Sequence, residues 1–242
     1  MSNTLTYEYY ERSHQGNVRT HNEDSVLCKA DTGLWVVADG MGGHEAGDVA
    51  SQLIVSDLQT LSHRAYLSDF VDDVEDALLL ANQKLRQYSV EKLNGLTVGS
   101  TVVSLIVRGS VGVALWAGDS RLYRLRGSTF EQLTKDHSEV QIQIDKGIIT
   151  EEQAETSSIK NMLSRAIGAF DELDIDVNAF TIKEGDLLLL CSDGLYNELS
   201  STELRSIMKT GNVSKVPDKL MSECLSKAAK DNVSFILLKA VL

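Results

Sequence analysis

The sequence predicts an α+β fold built on antiparallel sheets. Short runs rich in Val, Ile, Leu and aromatic residues recur along the chain. Two long segments with helical apolar spacing follow each other with no strand between them. Strand-like runs then come in direct succession, an order that argues against a βαβ repeat.

The first β-rich run is LWVVA at 34–38. In AGDVASQLIVSDLQTLSH (46–63), Ala50, Leu53, Ile54, Leu58 and Leu61 fall near one helical face. In DFVDDVEDALLLANQKLRQYSVEKL (69–93), Val71, Val74, Leu78, Ala81, Leu85 and Tyr88 do the same. STVVSLIV (100–107) and VGVALWA (111–117) flank RGSVG (108–112), which reads as a hairpin turn. SRLYRLR (120–126), DLLLLCS (186–192) and NVSFILLKAVL (232–242) complete the strand candidates. Further helices are expected over 138–146, 201–209 and 214–229. With one proline, Pro217, and no Gly/Ser-rich stretch, the sequence shows no linker, so residues 1–242 read as one domain.

At 242 residues, 43% apolar and 24% charged, the chain is long enough for a sizeable core. Nothing approaches 18 consecutive apolar residues, so no membrane partner is expected. MSNTLTYEYYERSHQ lacks the basic start and apolar core of a signal peptide, and the expected location is the cytoplasm. Cys28, Cys191 and Cys224 form no CxxC pair, which argues against a disulfide framework or a zinc site. Net charge is −12 without a basic patch, which argues against nucleic acid. An acidic protein that handles phosphate needs something positive at its site, and bound metal ions supply that most simply.

The chemistry is carried by where the carboxylates fall. LWVVADG ends in Asp39-Gly40, and DLLLLCSDG in Asp193-Gly194. VALWAGDS ends in Gly118-Asp119-Ser120, and KDNVSFILL places Asp231 just before a strand. One such Asp is most simply a turn former. Four at strand ends that share an edge would repel one another unless a cation lay among them. Oxygen ligands without His or Cys spacing favour magnesium or manganese over zinc. GNVRTHNEDS adds Arg19, whose planar fork suits a phosphate, and the acidic pair Glu23-Asp24.

GNVRTHNEDS, VVADGMGGHEAGDVAS, GSTVV, WAGDSRLYRL, TKDHS, LSRAIG, LLLLCSDGLYNEL and KDNVSFIL stand in one order and spacing. In that order the chain resembles the metal-dependent protein phosphatases of the protein phosphatase 2C type, in their compact bacterial form. The resemblance spans about residues 8 to 240. It implies a four-layer αββα sandwich, two antiparallel sheets flanked by helix pairs, with metals at one edge. It implies hydrolysis of phosphoserine and phosphothreonine by a water bridging two divalent ions, Mn2+ or Mg2+, with a third, weaker ion site. Asp39 would bridge the ions and the Gly40 carbonyl would bind one. Asp193 and Asp231 would complete the other shell, and Glu23 and Asp24 would act through water. Asp119 with Asp193 would form the third site, and Arg19 would bind the substrate phosphate. His44 is a candidate proton donor. Segment 138–168 corresponds to a flap, with Thr150 capping a helix among nearby Glu residues.

Phosphorylated proteins are the implied partners, together with a Hanks-type kinase and forkhead-associated proteins, and a monomer is the default. The chain departs from the family pattern at Ser100, Ala228, Ala229 and Lys230, departures expected to leave the metal ligands untouched. His137, in KDHS, has no assigned role. A dinucleotide-binding loop fails because Glu45 stands where a glycine is required. The rival reading is an inactive phosphatase-like module that binds phosphoproteins, and the full set of carboxylates disfavours it.

Overall fold

A computed structural model describes residues 5–42, 46–155 and 157–242. One sheet has the strand order β1 (Thr6–His14), β11 (Val233–Val241), β10 (Leu187–Cys191), β7 (Arg121–Arg126), β8 (Thr129–Gln132). The other runs β2 (Asp24–Lys29), β3 (Leu34–Gly42), β5 (Val102–Arg108), β6 (Val111–Ala117), β9 (Asp176–Thr181), with β4 (Val98–Ser100) added beside β3. The pairings within both sheets are antiparallel.

Strand alternation sorts side chains into three apolar layers. Trp35, Val37, Leu105, Trp116, Leu188, Leu190, Ile236 and Leu238 meet between the sheets. Val36, Ala38, Ile106 and Leu115 face away, onto α1 (Gly47–Gln59) and α2 (Leu67–Lys92). Leu189, Cys191, Phe235 and Leu237 turn the other way, onto α6 (Ser201–Met208) and α7 (Val216–Leu225), which follow the short α5 (Asp193–Tyr196). The result is the αββα sandwich. Interior strands other than β7 bury both faces along most of their length, which is why they read as near-continuous apolar runs; β7 carries three partly exposed arginines.

The helical faces form as spaced. Ala50, Ile54 and Leu58 of α1 and Val74, Leu78, Ala81 and Leu85 of α2 are buried, joined by Phe70. Leu53, Leu61, Val71 and Tyr88 pack only partly against them. A reciprocal capping box of Ser200 and Glu203 starts α6. α7 follows a 3-10 turn at Val213–Lys215 and ends at Leu225, short of the expected 229. The run at 100–107 is broken at Thr101 into β4 and β5. Strands β1, β2, β8 and β9 were not foreseen, and each lies at a sheet edge, where polar residues dilute the apolar pattern.

The flap carries α3 (Glu139–Asp145), capped by Ser138, and α4 (Glu151–Glu155). Thr150 does cap α4, but its reciprocal partner is Gln153 rather than a glutamate. The end of the flap is tied to α2 by Asn82, 4% exposed. Its Oδ1 accepts from the Gly168 N–H at 2.6 Å, and its Nδ2 donates to the Phe170 carbonyl at 3.3 Å. Replacing Asn82 by Ala strands a buried N–H. Chemical denaturation of Asn82→Ala is expected to show a loss of about 1–3 kcal/mol.

Candidate metal-dependent active site

The topology gathers the carboxylates. β2 and β3 are antiparallel, so the start of one lies beside the end of the other, and Asp24 sits directly opposite Asp39. β5 is antiparallel to both β3 and β6, so β6 runs the same way as β3 and delivers Asp119 at that edge. In the second sheet the end of β10 and the start of β11 are neighbours, which brings Asp193 near Asp231. Ser192 Oγ donates to Asp24 Oδ2 at 2.8 Å and joins the two sheet edges.

Backbone contacts hold this cluster in place. The Thr101 N–H and Ser100 Oγ both donate to the Asp39 carbonyl, at 2.8 and 3.0 Å. Ser100 therefore does touch a predicted ligand, through its main chain, contrary to the sequence expectation. Gly40 is required by close approach: a Cβ there would lie 2.0 Å from the Gly47 carbonyl oxygen. Gly194 is tighter still, 1.9 Å from the Asn232 oxygen. Asn232, 5% exposed, is a hub that sequence reasoning passed over. Its Oδ1 accepts from the Glu23 N–H at 2.8 Å, and its Nδ2 donates to the carbonyls of Gln15 and His21. Its place directly after Asp231 was the available signal.

Crowding shows in the electrostatics. Burial first, then the charges of Asp193 and Asp231, push the Asp24 carboxyl up to about 7. Burial and Asp193 push Asp119 to about 7. Burial and Asp231 push Asp193 to about 6. Asp39 is raised well above the usual carboxylate range by burial and by Asp24, Asp193, Asp119 and Asp231 together. Asp39 and Asp193 are within hydrogen-bond reach of each other. Asp24 Oδ1 is buried and has no hydrogen-bond partner among the described residues. An orphaned carboxylate oxygen amid mutually repelling carboxylates is the donor set a hard divalent cation fits.

Arg19 and Glu23 sit at the rim. Arg19 forks onto Asp231, with Nε to Oδ1 at 3.0 Å and Nη2 to Oδ2 at 2.9 Å. Among the described residues no three His, Cys, Asp or Glu side chains close into a ready-made cation cage, and Asp231 is engaged by Arg19. Glu23 Oε1 accepts from the Gly47 N–H at the start of α1, and burial raises its pKa. Lys160, on the flap, was not singled out in the sequence; its charge acts on Asp193. His44 lies outside the described residues.

The family described as Protein phosphatase 2C matches residues 12–228. The chain belongs to the protein phosphatase 2C family. It is 34% identical to the serine/threonine phosphatase Stp of Listeria welshimeri over 236 residues, covering 94% of each chain. Among solved structures, this phosphatase 2C chain resembles PppA of Pseudomonas aeruginosa with a TM-score of 0.90 and 38% identity, covering 98% of this chain and 100% of that one. It resembles the catalytic domain of the phosphatase PstP, in complex with two manganese ions, with a TM-score of 0.87 and 32% identity, covering 99% and 100%.

A carboxyl whose pKa is raised by folding favours the folded state least when it is ionised. The penalty begins as pH rises above the ordinary value of 3.8 and is complete above about 7 for Asp24 and Asp119. The melting temperature of EDTA-treated protein should therefore fall between pH 5 and pH 8, and manganese should raise it most at pH 8. A profile that is flat, or that matches Asp39→Asn throughout, would remove the crowding account.

Proposed function

We propose that this chain is a metal-dependent protein serine/threonine phosphatase, a single catalytic domain acting on phosphoserine and phosphothreonine. The observation that carries the reading is the cluster of carboxylates around buried Asp24, with a guanidinium fork at its rim. Asp39, Asp193, Asp231 and Asp24, with the Gly40 carbonyl, would hold two divalent cations, and Asp119 with Asp193 a third. Bound there, such ions would acidify a water and neutralise charge on the phosphoryl oxygens.

The chain's own groups do the rest. Arg19 can grip two phosphoryl oxygens at once, and its fork would orient the ester for in-line attack. To do so it must leave Asp231, which then becomes free to act as a ligand. Ser100 and Thr101 hold the Asp39 main chain, so that carboxylate keeps its aim. No Cys or Ser is placed as a nucleophile among these residues, and the reading needs no covalent intermediate. The intact carboxylate set and the catalytic names of the relatives weigh against an inactive binding module. In this reading the phosphatase acts as a cytoplasmic monomer on the targets of a Hanks-type kinase, forkhead-associated proteins among them. The relatives, named as serine/threonine phosphatases, support phosphorylated proteins as the substrates.

Hydrolysis of p-nitrophenyl phosphate and of a phosphothreonine peptide should require manganese. Asp39→Asn should lower turnover by at least ~10²-fold. No turnover by the wild type with either metal would sink the proposal. Arg19→Gln should raise KM for the peptide about tenfold, the size of a lost charge-assisted contact. Calorimetry should show the same variant binding manganese more tightly, because Asp231 loses its competitor.

A further inference from the structure

We propose that His137 is a positioning residue that locks the flap to the Asp119 loop, so that cation binding at the cluster and closure of the flap are coupled. The inference rests on the phosphatase reading for what the site binds. His137 itself is absent from the proposed chemistry and is only 7% exposed.

Its main chain and ring together hold Gly118, the residue before Asp119. The His137 N–H donates to the Gly118 carbonyl at 2.9 Å, and the Gly118 N–H donates to His137 Nδ1 at 3.2 Å. Gly118 has φ +113°, and a Cβ there would lie 2.6 Å from Thr101 Cβ. The loop thus takes a conformation that glycine alone tolerates, and His137 bonds both its polar groups.

On its other side the same residue gathers the flap. The Ser164 N–H donates to the His137 carbonyl at 2.9 Å, and the Glu139 N–H donates to the Met162 carbonyl at 2.8 Å. Ser138 and Leu163 form an antiparallel bridge, so the outgoing and returning ends of the flap are stitched together beside His137. Because Nδ1 accepts, the ring proton sits on Nε2, which lies 3.2 Å from Asp176 Oδ2. The other oxygen of Asp176 accepts from Arg165 Nη1, of the returning flap arm, at 2.6 Å. Burial lowers the imidazole's pKa and keeps the ring in the neutral form this geometry needs. The ring also stacks on Trp116 of β6, the strand that leads to Asp119, at 5.9 Å and 15°.

Two substitutions cut the junction on different sides. His137→Asn keeps an acceptor near Gly118 but cannot reach Asp176. His137→Gln keeps a donor toward Asp176 and withdraws the acceptor from Gly118. Asp176→Asn, at a half-exposed position, weakens the same link if the histidine variants fail to fold. The readout is hydrogen exchange of the amides of 139–163 with and without manganese. In the wild type, manganese should slow flap exchange about tenfold, the scale of an ordinary coupling between sites. In each variant that protection should vanish, while manganese still raises the melting temperature. Variants that keep the protection, or a wild type that shows none, would overturn the inference. Turnover of p-nitrophenyl phosphate by the wild type separately tests the phosphatase reading, and its loss leaves the exchange result standing.

Discussion

Repulsion within a cluster of carboxylates, Asp24 buried and the others partly so, is the constraint that the surrounding structure must satisfy. Asp24 and Asp39 face each other across adjacent strands, and Asp119, Asp193 and Asp231 add their charges from neighbouring strand ends. Like charges this close, and partly shielded from water, favour protonation, a cation or separation. Separation is blocked because each carboxylate sits at the end of a strand whose body is locked in the sandwich. In the structure a guanidinium fork satisfies Asp231, and the raised carboxyl pKa values record the strain on the others.

The scaffold opposes that repulsion with apolar burial on both faces of its interior strands. Close backbone contacts then fix the edge. Gly40 lies against Gly47, and Gly194 against Asn232, at separations that admit no side chain. These glycines are explained by chain crossing before any ligand is considered. Hydroxyls of Ser100, Thr101, Ser120 and Ser192 and the amide of Asn232 cross-link the loops that carry the carboxylates. With the backbone of this edge fixed, the rearrangement the proposed cation binding requires is the release of Asp231 by Arg19.

Arg19 meets the cluster at Asp231, and His137 meets it beside Asp119. Arg19 is held by the Asp231 carboxylate, and in the proposed function an incoming phosphoryl group would compete for the same fork, which would link cation and phosphate loading through one side chain. His137 joins the flap's root to the loop before Asp119 through its main chain and both ring nitrogens. Sequence inspection found the histidine and could give it no work, because its partners lie at 118, 164 and 176.

Sequence alone determined the six interior strands, the two long helices and the identity of the carboxylates. Those signals are local: most strands buried on both faces are near-continuous apolar runs, and Asp39, Asp119, Asp193 and Asp231 stand at or near the ends of such runs. The four edge strands escaped because an edge strand is half solvated and its apolar pattern thins out. Tertiary structure alone decided that Asp24 opposes Asp39, that Arg19 forks onto Asp231, and that Asn232 and His137 are junctions. Each of these pairings joins segments distant in sequence, and register between strands is fixed only when whole faces pack. The sequence named the charges, and the packing brought them within range of one another.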